Sequence, residues 1–267
     1  MGIERTIGKE AVRFIKKDPS KLKLVAGLYA LSFLDPRAGK LARAQYFFLR
    51  HMDDLLDGEM EVGGNPIDYA MKLRDQIETG RFDPNLPIAQ LVTYALPILE
   101  RRAREDDDPR EEFKKEIDGL MDDYFRRTKR KTSTQEELEE VYRATFDPAL
   151  NLFLIGFRSQ LRAVDIPDYS SSLGRLYSVR DLDKDWALGI FNIPIEILEK
   201  AGLSSFSSFG EIQSNKTVLD WLQEEINEGK KGLAVARRRI ENSREPLTRR
   251  VLGGLLHSAQ KIEVSNF

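Results

Sequence analysis

Segment 46–58, YFFLRHMDDLLDG, carries three carboxylates, Asp53, Asp54 and Asp57, within about one helical turn. At about 100° per residue, Tyr46, Arg50, Asp53, Asp54 and Asp57 share one arc, while Phe48, Leu49, Met52, Leu55 and Leu56 share the other. One face packs and the other is acidic. Asp53 and Asp57 form an i,i+4 like-charge pair, which costs roughly a few tenths of a kcal/mol on an exposed helix. Arg50 supplies one compensating charge, and the remaining deficit suits a divalent cation. Oxygen donors without His or Cys point to Mg2+ or Ca2+; the alternative is a solvated acidic helix end running into a loop.

Segment 174–194, GRLYSVRDLDKDWALGIFNIP, repeats the pattern with Asp181, Asp183 and Asp185. Asp181 and Asp185 are again i,i+4, with Tyr177 one turn before them. Local neutralisation by Arg180 and Lys184 is the plainer alternative. Neither segment is an EF-hand. In the first, Leu55 and Gly64 occupy the third and twelfth loop positions; in the second, Trp186 and Asn192 stand where Gly and Glu belong.

Two acidic helix faces far apart in one chain say more together than singly. Facing each other across a cavity, they could hold several Mg2+ ions, bind a diphosphate and help it leave. Ionisation of an allylic diphosphate to a carbocation is the chemistry that needs this. Such a cation requires a dry pocket lined by apolar and aromatic groups. Phe47, Phe48, Phe146, Phe153, Phe157 and Tyr177 read first as core and second as lining for that pocket.

The elements that must position these residues are helices. Apolar residues recur at helical spacing almost throughout, and no period-2 stretch rich in Val, Ile and Thr is visible, which predicts an all-α fold. Breaks are legible at Asp35-Pro36, 58–66, 83–87, Asp108-Pro109, Asp147-Pro148 and 202–210. Thr134 with Glu137 reads as a capping box, and 170–172 as a further N-cap. Roughly ten to twelve helices with short connections predict one domain over 1–267.

Composition removes several function classes. The chain has 267 residues, 42 Lys+Arg against 44 Asp+Glu, two His and no Cys. Disulfides, thiolate nucleophiles and zinc-thiolate sites are excluded, and multi-His metal chemistry nearly so. The missing cysteines fit a reducing, cytoplasmic setting. A net charge of −2 offers no field for nucleic acid, and no nucleic-acid motif is present. The longest apolar runs, 24–34 and 150–157, fall short of the ~20 residues a bilayer span needs, and 1–17 lacks the pattern of a signal peptide. Five cations in six residues at 126–131 read first as a solvated helix end and second as peripheral contact with an anionic membrane.

Taken in order, the motifs resemble the squalene/phytoene synthase family. Its first aspartate-rich motif, YxxxRxxDDxxD, stands as Tyr46, Arg50, Asp53, Asp54 and Asp57. Its second, RDxxxD followed by Gly and Pro, stands as Arg180, Asp181, Asp185, Gly189 and Pro194. Between them, 113–142 is similar to the family's middle helix, Ile-Asp-Gly and a following Asp, and then its Glu-Leu-x-x-x-Tyr. The likeness covers roughly 20–200.

The resemblance implies a single-domain, all-α isoprenoid-synthase bundle around a central cavity. The activity it implies is Mg2+-dependent head-to-head condensation of two prenyl diphosphates. NADPH enters only in members that reduce the product, and nothing in the sequence signals it. By the same resemblance Asp53, Asp54, Asp57, Asp181 and Asp185 are the metal set, Arg50 and Arg180 contact diphosphate, with Tyr177 on the substrate side, and Tyr46 borders the pocket. The chain departs from the pattern at Gly174 and Tyr177, where the family has Gln and Asn. It departs again at Ile190 and Asn192, where Arg and Tyr are usual, and at 145–148, where Thr-Phe-Asp-Pro replaces Val-Ala-Gly. These departures leave two further readings. One is a terpene synthase or prenyltransferase using a different acceptor. The other is a catalytically silent helical protein comparable to the family-like assembly factors of respiratory complex I. Chain length, product and oligomeric state are not encoded in these motifs.

Overall fold

A computed structural model describes residues 2–262. It is all-α: among the described residues there are thirteen α-helices, two short 3-10 turns and no strand. No helix among them is long and apolar enough to cross a membrane. The chain divides into two compact units that alternate along the sequence. Unit 1 comprises 1–121 and 148–160, and unit 2 comprises 122–147 and 161–267.

In unit 1, α1 (Ile3–Lys17), α2 (Leu22–Leu34), α4 (Pro66–Thr79) and α5 (Ala89–Glu100) pack on α3 (Pro36–Leu56). α3 starts where the sequence predicts, because the Asp35 side chain accepts from the backbone N–H groups of Arg37 and Ala38 and Pro36 opens the first turn. Its inner stripe, including Leu41, Phe47, Phe48, Met52, Leu55 and Leu56, is at most 2% exposed. The first part of α6 (Pro109–Thr128) joins this core through an edge-to-face contact of Phe48 and Phe113, ring centroids 5.3 Å apart. Glu116 lies in the same inward stripe as Phe113 and Ile117, and one of its carboxyl oxygens has no hydrogen-bond partner. Burial, aided by nearby Glu112, pushes its carboxyl up to about 8.

In unit 2 the longest helix, α12 (Lys216–Asn242), packs along α8 (Pro167–Arg180). α10 (Ile195–Ala201), α11 (Phe209–Ser214) and α13 (Pro246–Ala259) add to it, and α9 (Leu182–Leu188) follows α8 directly. The backbones of α8 and α12 meet closely at Gly232, where a Cβ would sit 2.2 Å from Ser172 Oγ. On another side of α8, a Cβ at Gly174 would fall 2.2 Å from Tyr142 Cγ on α7 (Gln135–Gly156).

Two sequence expectations fail locally. Asp147-Pro148 does not end a helix: α7 runs through Pro148, which is buried, and forgoes only the bond to the carbonyl one turn earlier. Ser170, Ser171 and Ser172 do not cap α8, which begins at Pro167. The Thr134–Glu137 capping box forms as read, with Glu137 N donating to Thr134 Oγ1 at 3.1 Å and Thr134 N to Glu137 Oε2 at 2.9 Å.

Gly174→Ala is expected to lower stability by about 1–3 kcal/mol through overpacking against Tyr142, read as a shift of the urea midpoint at unchanged slope. Folded Glu116 keeps its proton at pH values where the unfolded chain has released it. Stability therefore falls as pH rises from about 4.5 towards 8. Thermal melts of Glu116→Gln across that range should show a flatter dependence than the parent.

Candidate functional site

The last turns of α3 carry the first acidic set. Of the predicted packing side, Phe48, Met52, Leu55 and Leu56 are buried and Leu49 is half-buried, but the acids do not share one environment. Asp54 is fully buried, whereas Asp53, Asp57 and Tyr46 are half-buried. The Asp54 carboxylate accepts from Arg13 Nη1 at 2.5 Å, Lys17 Nζ at 2.7 Å and Arg50 Nη2 at 2.7 Å. Arg50 also pairs with Asp53, and Lys17 with Glu59. Burial alone would raise the Asp54 carboxyl. The hydrogen bond from Lys17, the charge of Arg50 and the bond from Arg13 outweigh burial and hold it below its ordinary value.

Arg13 and Lys17 are the residues that sequence reasoning missed. They stand i,i+4 on amphipathic α1, and this spacing is the signal that could have shown a basic stripe aimed at a neighbouring helix. The positive charge beside α3 therefore comes from three side chains, where the sequence suggested Arg50 alone. Around them, the Tyr46 ring stands edge-on to Phe14 at 5.9 Å, and the Arg50 guanidinium lies 5.2 Å from the centre of the Phe14 ring. His51 is held between Glu10, 3.2 Å from Nδ1, and the Tyr69 hydroxyl, 3.3 Å from Nε2.

The second acidic set lies in unit 2 at the junction of α8 and α9. Asp181 leaves ideal helical geometry (φ −99°, ψ 10°), yet its N–H still bonds Tyr177 O at 2.9 Å, and Asp185 N bonds Asp181 O at 2.8 Å. The one-turn spacing of Asp181 and Asp185 survives this kink. Arg180 grips Asp181, with Nε donating to Oδ1 at 2.8 Å, and its guanidinium rests 4.2 Å from the centre of the Tyr177 ring. That ring in turn packs on Phe146 at 5.9 Å.

Asp185 Oδ2 accepts from Asn192 Nδ2 at 2.9 Å, and Asn192 Oδ1 accepts from Arg126 Nη2 at 3.1 Å. Arg126 closes the chain on Asp123 at 2.7 Å. Gly189, the αL C-cap of α9 with φ 83°, reverses the backbone so that Asn192 returns to Asp185.

Three departures from the family pattern acquire local roles here. Tyr177 provides the ring under Arg180, Asn192 bonds Asp185, and Gly174 leaves room for Tyr142. The 126–131 basic run is not the uniformly solvated end that the sequence suggested. Arg126 is buried in the chain just described, Arg130 lies over Phe191 and Phe206, and Lys131 pairs with Glu137 at 3.0 Å.

Of the predicted pocket aromatics, Phe47 and Phe48 belong to the core of unit 1. Phe153 and Phe157 pair at 4.5 Å in the same unit and are half-buried, as are Phe146 and Tyr177 in unit 2. Among the described residues, no group of three or more His, Asp or Glu side chains is assembled to hold a metal ion. No family model matches the chain, and no curated protein matches it.

Asp54→Asn is expected to cost about 2 kcal/mol or more, because three cations lose their shared acceptor. The parent's Asp54 contribution is fully present above the ordinary value of 3.8 and fades as pH falls through the lowered folded value. Urea titrations at pH 7 and pH 3 should thus show a smaller difference between Asp54→Asn and parent at the lower pH.

Proposed function

We propose that the chain is a Mg2+-dependent enzyme that acts on prenyl diphosphates, by head-to-head condensation with release of inorganic diphosphate. One observation carries this reading. Each unit holds two aspartates one turn apart, Asp53 with Asp57 and Asp181 with Asp185, beside an arginine parked over an aromatic ring. The donor set suits Mg2+, which commonly takes one or two carboxylates and fills the rest of its octahedron with water and phosphate oxygens. Asp54 does not fit that set, because its carboxylate is wholly enclosed by Arg13, Lys17 and Arg50. In this reading it holds α1 on α3.

When bound, Mg2+ supplies the charge that lets diphosphate depart. The protein's own part is positioning. Arg50 and Arg180, already beside carboxylates, donate to diphosphate oxygens, where planar guanidinium groups make paired hydrogen bonds. Burial of Arg50, which by itself would lower its basicity, is outweighed by Asp53, Asp54, Tyr46 and Asp57, so it stays charged in its semi-enclosed setting. Half-buried Phe146, packed beside Tyr177, is an aromatic surface for a developing cation, whereas the Tyr177 ring already carries Arg180.

Tyr177 and Asn192 favour a variant of the same chemistry, cyclisation or transfer to another acceptor, because an oxygen ligand and a tyrosine of the resembled pattern are replaced there. A catalytically silent scaffold draws support from a separate observation: Asp54, Asp181 and Asp185 each have a local partner.

Incubation with Mg2+ and prenyl diphosphates of several lengths, following diphosphate release and organic-phase products, separates these readings. A hydrocarbon of doubled carbon number is expected. A cyclic or single-chain product selects the variant chemistry, and no release from any substrate selects the scaffold. Asp53→Asn and Asp181→Asn should each reduce kcat/KM by about a thousandfold with helicity unchanged, and near-parent turnover in both removes the assignment.

A further inference from the structure

We propose that the exposed side of α2 docks the protein on an anionic lipid bilayer. The helix reads LKLVAGLYALSFL, with one cation and no acid, and is apolar on every side. A helix of that composition is ordinarily enclosed. Here only Val25 and Leu28 are buried, while Phe33 is 91% exposed, Leu22 56%, Leu34 45% and Tyr29 37%. At about 100° per residue, Leu22, Ala26, Tyr29, Ala30 and Phe33 form one continuous arc that excludes Val25 and Leu28.

Charge decides what covers this face. Lys16 and Lys23 stand near its start and Arg37 just beyond its end, all exposed and without an ion-pair partner among the described residues. The acids nearby are engaged. Asp18 faces Lys21 at 3.7 Å, Asp35 accepts backbone N–H groups of α3, and Glu4 lies between Lys40 at 3.3 Å and Arg43 at 3.6 Å. Arg43 itself sits over the Tyr29 ring at 4.4 Å.

An apolar strip with cations at both ends matches the layered chemistry of a bilayer surface, where acyl chains lie beneath anionic headgroups. Thirteen residues rise only about 20 Å, short of the ~30 Å hydrocarbon core, so the helix lies along the surface. A second copy is the poorer occupant, because pairing α2 with its own duplicate in either direction sets cations against cations. The proposal does not rest on the catalytic reading, and its readout is binding alone.

Co-sedimentation of the full chain with phosphatidylcholine vesicles, with and without about one-third phosphatidylglycerol, tests it. Binding is expected to the anionic vesicles, much less to the neutral ones, and to weaken with added salt. Phe33→Ser should reduce binding by about tenfold or more, and Lys23→Ala by about fivefold. Both positions are exposed, so melting temperature and helicity should stay at the parent values. Absence of binding to anionic vesicles, equal binding to neutral ones, or undiminished binding by Phe33→Ser overturns the proposal. A concentration-dependent dimer abolished by Phe33→Ser also overturns it, giving the face to a second copy.

Discussion

A carboxylate without solvent contact must be neutralised, and in unit 1 the neutralisation of Asp54 organises everything around it. Three cations from two helices meet on one acid, which fixes the rotation of α1 and α3 about their own axes and their mutual height. Arg50 is drawn into that knot and held next to Asp53 over Phe14. The lateral order at the end of α3 thus follows from one buried charge, and the flanking aspartates inherit a fixed scaffold.

Unit 2 solves a related problem by a different route. Its acids at the α8–α9 junction are only partly enclosed, and they are steadied in relay. Asp185 is bonded by an amide, the amide by a buried guanidinium, and that guanidinium by Asp123. Burial pushes the Asp123 carboxyl up, and the charge and hydrogen bond of Arg126 work against that rise. Beside it, Arg180 and Tyr177 form a cation–ring contact that takes up the first aspartate of the motif.

Periodicity made the all-α class legible, because nearly every helix shows a stripe at spacing three and four and most are bounded by Pro, Gly or a capping side chain. Pro148 reads locally as a stop, yet α7 continues through it with Leu150 and Leu152 buried on the far side, so packing overrides the local preference. The Asp54 knot was legible only in part. Arc geometry grouped Asp53, Asp54 and Asp57, yet the partners that separate Asp54 from the others lie some forty residues upstream, and no local pattern links them. Arg126 was obscured for the same reason, since its partners Phe191 and Asn192 are remote in sequence.

The fit of Tyr142 into the space above Gly174 makes these two positions a single unit of heredity. Any larger residue at 174 must be met by a displaced or smaller side chain at 142. Identities at 142 and 174 should then change together among relatives or not at all.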